Sequence, residues 1–395
     1  MLLNRSRLED IARHEGLDAL IATSPENVTY SSGYWALSQW IRRGPQIYAV
    51  LTVDDLAASH LIAATSLLDL VADQDVWIRN IHRFGFFHAE RRQNLTDELD
   101  QAQAELYDLP IEKSAIEALF NVIRLVGLTQ ANIGVDEMGL LPGYWEALKD
   151  AFPHAKFTRA SEIFRRIRAV KTEEEVARLR TVANITERSV AAAIGGVREG
   201  ASELDLARTF HAQTVKEDAF PVLGCIGFGP RGAMPNVQPS AARLKPNDVI
   251  RFDVGGRYKH YRADIARNAV FGEADDKTKK YHNALHAGVQ RALEMIRPGV
   301  KASDVFARCM ETVRREGIPH YQRGHVGHGI GIDGYDLPDL SPSTDHIIEE
   351  GMVLCVETPF YELGWCGLQV EDMVVVRTDG IENLMTTDGV LQVVS

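Results

Sequence analysis

The sequence predicts two domains in series: an α/β unit over residues 1–160, then an α+β unit over residues 161–395 in which helices pack on an antiparallel sheet. Three observations carry this reading. The 395 residues exceed what one hydrophobic core usually organises. The first third alternates apolar strand-like runs with helical patterns, and from Phe220 onward paired strands with glycine turns are interrupted by two amphipathic helices.

Taken in order, Ser6 and Glu9 form the pattern of a capping box, Leu8 and Ile11 keep helical spacing, and Gly16 stops the helix before an apolar strand, Ala19 to Thr23. Further strands are predicted at Ile47–Val53, Ser59–Ala64, Val76–Ile81 and Ile133–Val135, with a helix at Gly143–Ala151. Thr172 and Glu175 form a second capping box, and Val176, Leu179 and Val190 share one face of a long helix reaching about Ile194. Asp276–Ile296 and Ser303–Glu316 are the two later helices. There is no internal repeat and no low-complexity segment.

A formal charge of −12 argues against nucleic acid or an anionic membrane as partner, since a net acidic chain does not neutralise phosphates. Charges among the first residues and the lack of a long apolar run make the cytoplasm the default expectation. Cys225, Cys309, Cys355 and Cys366 lack paired spacing and read as buried small hydrophobes.

Two patterns are set aside. GFGPRG, Gly227–Gly232, fits a dinucleotide loop by letter, but Pro235 and Pro239 follow where a helix must open, so it reads as a plain loop. His282 and His286 have zinc-helix spacing without the adjacent glutamate or a third ligand, and read as exposed helix histidines. What remains is a set of acids that interrupt apolar strands: Asp253, Asp264, Glu357 and Glu371, with His328 between glycines in GHVGHGIGI. One buried carboxylate costs several kcal/mol unless compensated, so four point to convergence on positive charge.

In this order and context, with RFDVGGRYKHYRADIAR, GHGIG, VETPF and QVEDMV, the chain resembles the pita-bread metallopeptidase family of methionine and Xaa-Pro aminopeptidases, prolidases and creatinase. RLEDIARHEGLDALIATSPENVTYSSGYW resembles the N-terminal domain of creatinases and prolidases. The resemblance implies a curved antiparallel sheet and two divalent metal ions, manganese foremost with cobalt, iron or zinc as alternatives. Asp264 and Glu371 would bridge the ions, Asp253 would chelate one, and His328 and Glu357 would complete the other, Glu357 also shuttling a proton. Hard, oxygen-rich donors agree with such ions.

Two positions depart from the family pattern. Asn236 and Tyr335 stand where family peptidases carry substrate-contacting histidines, and both donate hydrogen bonds without changing charge near neutrality. His325, three residues before His328, either replaces an imidazole or packs as a loop residue. In the loop Gly33–Gln46, Trp40 is a candidate substrate contact beside Arg42 and Arg43, within a homodimer that the resemblance implies. The resulting expectation is a metal-dependent hydrolase cutting a C–N bond, foremost an Xaa-Pro dipeptidase or aminopeptidase acting on small peptides. The alternatives are a hydrolase of small amides or cyclic amidines, and a scaffold without catalysis.

Overall fold

The structure, a computed structural model, describes residues 1–41 and 46–395. It divides into two compact units, Met1–Arg168 and Ala169–Ser395. Among the described residues no helix is long and apolar enough to cross a membrane.

The N-terminal unit is α/β. Its strands are β1 (Ala19–Ala22), β2 (Tyr48–Thr52), β3 (His60–Ala64), β4 (Asn80–Phe84), β5 (Ile111–Glu112), β6 (Asn132–Val135) and β7 (Lys156–Arg159). They lie in one mixed sheet, ordered β5-β4-β3-β2-β1-β6-β7. Strands β1, β2 and β3 are buried almost throughout, which is why they read as short continuous apolar runs. Two local expectations shift. The first helix, Arg5–His14, is capped by Asn4, whose side chain accepts from the Arg7 amide, so Ser6 falls inside the helix. The run Val76–Ile81 pairs only from Asn80 onward, while the Trp77 indole donates to the Ser31 carbonyl at 2.8 Å.

In the second unit the expected capping box is present. The Glu175 amide donates to Thr172 Oγ1 at 3.3 Å, the Thr172 amide donates to the Glu175 carboxylate at 2.7 Å, and the helix Glu173–Gly195 follows. Eleven strands of this unit matter to the site's setting: β8 (Phe220–Phe228), β9 (Val249–Tyr258), β10 (Tyr261–Arg262), β11 (Ile265–Phe271), β12 (Gly327–Gly329), β13 (Asp336–Asp339), β14 (Val353–Glu357), β15 (Phe360–Glu362), β16 (Cys366–Leu368), β17 (Glu371–Arg377) and β18 (Gly380–Asn383). The central path runs β10-β9-β11-β17-β14-β12-β13, with β8 beside β9, and every neighbouring pair on it is antiparallel. GFGPRG forms the end of β8 and a short 3-10 turn, Gly229–Ala233, with no helix opening at it.

Alternation along β14 and β17 separates two faces. Leu354, Val356, Val374 and Val376 join the apolar core with Leu285, Val289 and Val313 of the helices Asp276–Met295 and Ala302–Glu316. The intervening residues Cys355, Glu357, Glu371 and Met373 take the other face.

His282 and His286 correct the reading made from their spacing. Their rings stack, with centroids 6.5 Å apart; His282 is 1% exposed and His286 is half-buried. The helix turns them inward because their face continues the buried Thr278, Leu285 and Val289 stripe.

Two outcomes follow from this architecture. Gly255 lies beside the break between β10 and β11, and a Cβ there would meet the Ala263 carbonyl oxygen at 2.0 Å. Gly255→Ala should therefore lower stability by about 2–4 kcal/mol in denaturant titration. Burial, then the neighbouring His286 and Arg267, pushes the His282 pKa down from 6.5 to about 4. The unfolded chain thus takes a proton on this residue below pH 6.5 while the folded chain holds out to about 4, so its stabilising contribution, complete above 6.5, is lost as pH falls through that window. Thermal melting of His282→Gln should show a shallower fall in Tm across the same window than the parent protein.

Candidate metal centre

The antiparallel ladder aligns the acids. Asp253 pairs with Ala266, Ala266 with Glu371, and Glu371 with Glu357, so one row across β9, β11, β17 and β14 carries three carboxylates on a single face. Asp264 precedes Ala266 by two positions and His328 pairs with Cys355, two before Glu357; alternation puts both on that same face. One carboxylate oxygen from each of Asp253, Asp264 and Glu371 lies within 4.8 Å of the others, and His328, Cys355 and Glu371 form an adjoining group at the same limit. Glu371 is common to both groups. The eleven-residue separation of Asp253 and Asp264 is thus the length of a hairpin that returns the second acid beside the first.

The electrostatics are those of a site short of positive charge. Burial, then repulsion from Asp253 and Glu357, holds the Asp264 carboxyl far above the usual range, and burial, then repulsion from Asp264, Glu357 and Asp253, does so at Glu371. Burial raises Asp253 to about 6 against the pull of Arg251. Asp264 Oδ1 and Glu371 Oε1 are buried without a hydrogen-bond partner. Unpartnered buried carboxylate oxygens, hard donors and two adjoining groups sharing one acid fit divalent cations. Glu357 behaves differently: burial would raise its pKa, but the hydrogen bond from His325, with His328 and Arg323 nearby, brings it below the ordinary value.

The residue next to Glu371 is an internal control. Asp372 points to the helix face, where Arg267 Nη2 lies 2.8 Å from its Oδ1, and Glu187 approaches the same guanidinium at 3.7 Å. Within this adjacent pair, Asp372 already faces a built-in cation, whereas Glu371 faces the other acids and is the ligand candidate.

All five ligand candidates line one cavity of about 400 Å³, together with Asn236, His325 and Tyr335. His325 Nδ1 is 3.2 Å from Glu357 Oε1, so it is a member of the site rather than a packed loop residue. The Tyr335 ring stacks on His328 with centroids 3.9 Å apart, and burial with the surrounding acids raises its phenol pKa, keeping it a hydroxyl donor. Trp40 lies on the short helix Leu37–Ile41 of the N-terminal unit and is half-buried, outside the lining of this cavity; Arg42 and Arg43 fall outside the described residues.

Sequence reasoning missed Arg251 and Gln369. The Arg251 side chain is fully buried: Nη1 donates to Asp253 Oδ2 at 3.1 Å and Gln369 Oε1 at 2.9 Å, and Nη2 to the carbonyls of Met234 and Pro235 at 2.8 and 2.9 Å. Gln369 Nε2 in turn donates to Glu357 Oε2 at 3.2 Å. A single guanidinium therefore ties the loop before Asn236 to the acids. Its signal was present in VIRFDV, where arginine interrupts an apolar strand two residues before Asp253, hence on the same face.

Asp264→Ala and Glu371→Ala should each reduce bound divalent metal toward zero in elemental analysis of the purified variants, because each deletes a donor from the shared cluster. His286→Ala, which lies in neither ligand group, should retain full metal content.

The pattern of metallopeptidase family M24 matches residues 177–378, and that of the creatinase/prolidase N-terminal domain matches residues 5–170. An uncharacterized peptidase of Staphylococcus aureus is 27% identical over 224 residues, 56% of this chain and 63% of the relative, so the match spans under two thirds of that protein. An Xaa-Pro dipeptidase of Lactobacillus helveticus is 23% identical over 99% of both chains. Among solved structures, an X-Pro aminopeptidase of Thermotoga maritima has TM-score 0.77 at 24% identity over 99% of both chains. An Xaa-Pro dipeptidase of Bacillus anthracis has TM-score 0.79 at 21% identity over 98% of both. These likenesses show the two-domain pita-bread fold, and with more than half of the chain matched by the family's pattern, the protein belongs to metallopeptidase family M24.

Proposed function

We propose that the chain is an Xaa-Pro dipeptidase-type hydrolase that uses two divalent ions, manganese foremost. The observation that carries this reading is one cavity in which Asp253, Asp264, His328, Glu357 and Glu371 converge beside an imidazole–carboxylate pair, His325 and Glu357. Asp264 and Glu371 would hold both ions, Asp253 one, and His328 with Glu357 the other. When bound, such ions supply Lewis-acid activation of water and of the scissile carbonyl.

The chain's own groups divide the remaining work. Glu357, kept ionised by its neighbours, is placed to take a proton from the nucleophile and deliver it to the leaving nitrogen. His325 and Gln369 engage opposite oxygens of that carboxylate, at 3.2 Å each, which fixes its plane. Asn236 and Tyr335 would donate hydrogen bonds to the carbonyl oxygen as charge develops there, without moving protons themselves. The proton path is thereby confined to Glu357 and His325. The likeness of the N-terminal domain to its family also carries the proposal of a homodimer in which Trp40 contacts substrate, and light scattering of the purified protein tests the dimer.

With manganese, kcat/KM on Xaa-Pro dipeptides should exceed that on small amides and cyclic amidines by at least about a hundredfold. Equal or better turnover of the non-peptides would overturn the peptidase reading. His325→Gln should lower kcat on the dipeptide about 10–100-fold with metal content retained, since glutamine can orient Glu357 but cannot share its proton.

A further inference from the structure

We propose that the buried ion pair of Lys171 and Asp336 is a positioning device for Tyr335, holding its ring against His328 at the candidate metal centre. The reaction it serves rests on the peptidase reading, whereas the positioning follows from the loop's geometry alone.

Tyr335 is poorly placed to hold itself. The residue is 55% exposed, although its ring stacks on His328 with centroids 3.9 Å apart. It ends the loop 330–335, in which Gly331 and Gly334 widen the choice of backbone conformations. Core packing does not fix a side chain so exposed, and the glycines leave its backbone free to swing unless a neighbour is tied down.

The next residue is tied down. Asp336 opens β13 and pairs with Gly329, the neighbour of His328. Its side chain is fully enclosed, as is that of Lys171, and its Oδ2 lies 3.3 Å from Lys171 Nζ. Successive side chains of a strand point to opposite sides, so burying Asp336 turns Tyr335 the other way, to the cavity it lines. Lys171 is fixed in turn: its amide donates to the Gly351 carbonyl at 2.9 Å, and the capped helix Glu173–Gly195 starts two residues later. A Cβ at Gly331 would lie 2.8 Å from Asp336 Oδ2 and 2.9 Å from Lys171 Cε, so glycine lets the loop backbone rest directly on the pair.

Stability alone is a weak reason for such a pair. Desolvation consumes much of the attraction between two enclosed charges, and apolar residues of similar volume often serve as well or better. What the charges add is a single address: an Asp336 carboxylate displaced from Lys171 is a buried charge without its cation, so the loop is held to one place. The buried Glu175 also feels the Lys171 charge, but it accepts from the Tyr261 hydroxyl at 2.9 Å and the Thr172 amide at 2.7 Å, and keeps both bonds if the lysine is removed.

The test replaces the pair by apolar residues of similar volume, Lys171→Met with Asp336→Leu, alone and combined with Tyr335→Phe. In the manganese-loaded protein the pair variant should keep its metal content and melt close to the parent, yet lose about 10-fold in kcat on an Xaa-Pro dipeptide with KM changed less than about twofold. Tyr335→Phe should cost a similar factor, and the triple variant no more than either, because a hydroxyl already out of place has nothing left to lose. Losses that multiply in the triple variant, or an unchanged kcat in the pair variant, would overturn the proposal. A readout free of turnover is the upfield ring-current shift of a His328 ring proton in the diamagnetic zinc-loaded protein, which should vanish in Tyr335→Leu and in the pair variant alike. If dipeptides are not cleaved, yet the pair variant loses that shift with its metal retained, the peptidase reading fails and the positioning stands. A His328 shift equal in parent and pair variant sinks it. Should the pair variant not fold, Asp336→Asn, which keeps the shape and removes the charge, carries the same comparisons.

Discussion

Repulsion among four carboxylates held on one face of a sheet is the constraint around which the catalytic unit is arranged. In bulk water a pair of unit charges 4 Å apart costs about 1 kcal/mol, and the figure rises several-fold at the effective dielectric of a protein surface. Asp264, half-buried, and Glu371, buried, respond with carboxyl pKa values held well above the usual range. The fold places a fixed cation, Arg251, at Asp253 and relays its contact through Gln369 to Glu357. The charge that remains suits metal ions, and a fold that leaves such charge unpaired gains affinity for them at the expense of its own stability.

In the proposed reaction the groups that would move protons and the groups that would bind are different. Glu357 is the acid of the set drawn below its normal range, and it is also the one joined to an imidazole. Asn236 and Tyr335 offer hydrogen bonds only. In that proposed reaction the acid–base step would fall to Glu357 and His325, while Asn236 and Tyr335 of the same cavity would serve recognition. Arg251 links the two sets mechanically, because its second nitrogen holds the carbonyls immediately before Asn236.

Much of this was legible in the sequence, for a physical reason. Acids inside apolar strands are costly, so Asp253, Asp264, Glu357 and Glu371 stand out against their surroundings, and an antiparallel ladder needs only period-two alternation to bring them together. The capping box at Thr172 was equally plain, since both of its bonds are local. What escaped was long-range. The inward turn of His282 depends on which face of its helix meets the sheet, and the bonds of Arg251 span more than a hundred residues to Gln369. The cap at Asn4 was missed because Ser6 and Glu9 satisfied the same local pattern two positions later.

The Glu371–Asp372 pair has a consequence for how the strand finds its place. Each acid has its own environment: the cluster of candidate metal ligands for the first, the Arg267 guanidinium for the second. Sliding β17 by one residue against β14 would keep a carboxylate on each side but would withdraw Val374 and Val376 from the helix-side core and carry Arg377 toward it. The adjacent acids are therefore indifferent to a slip by charge alone, and it is the valines around them that fix the phase. Electrostatics decides what the strand binds; packing decides which acid does the binding.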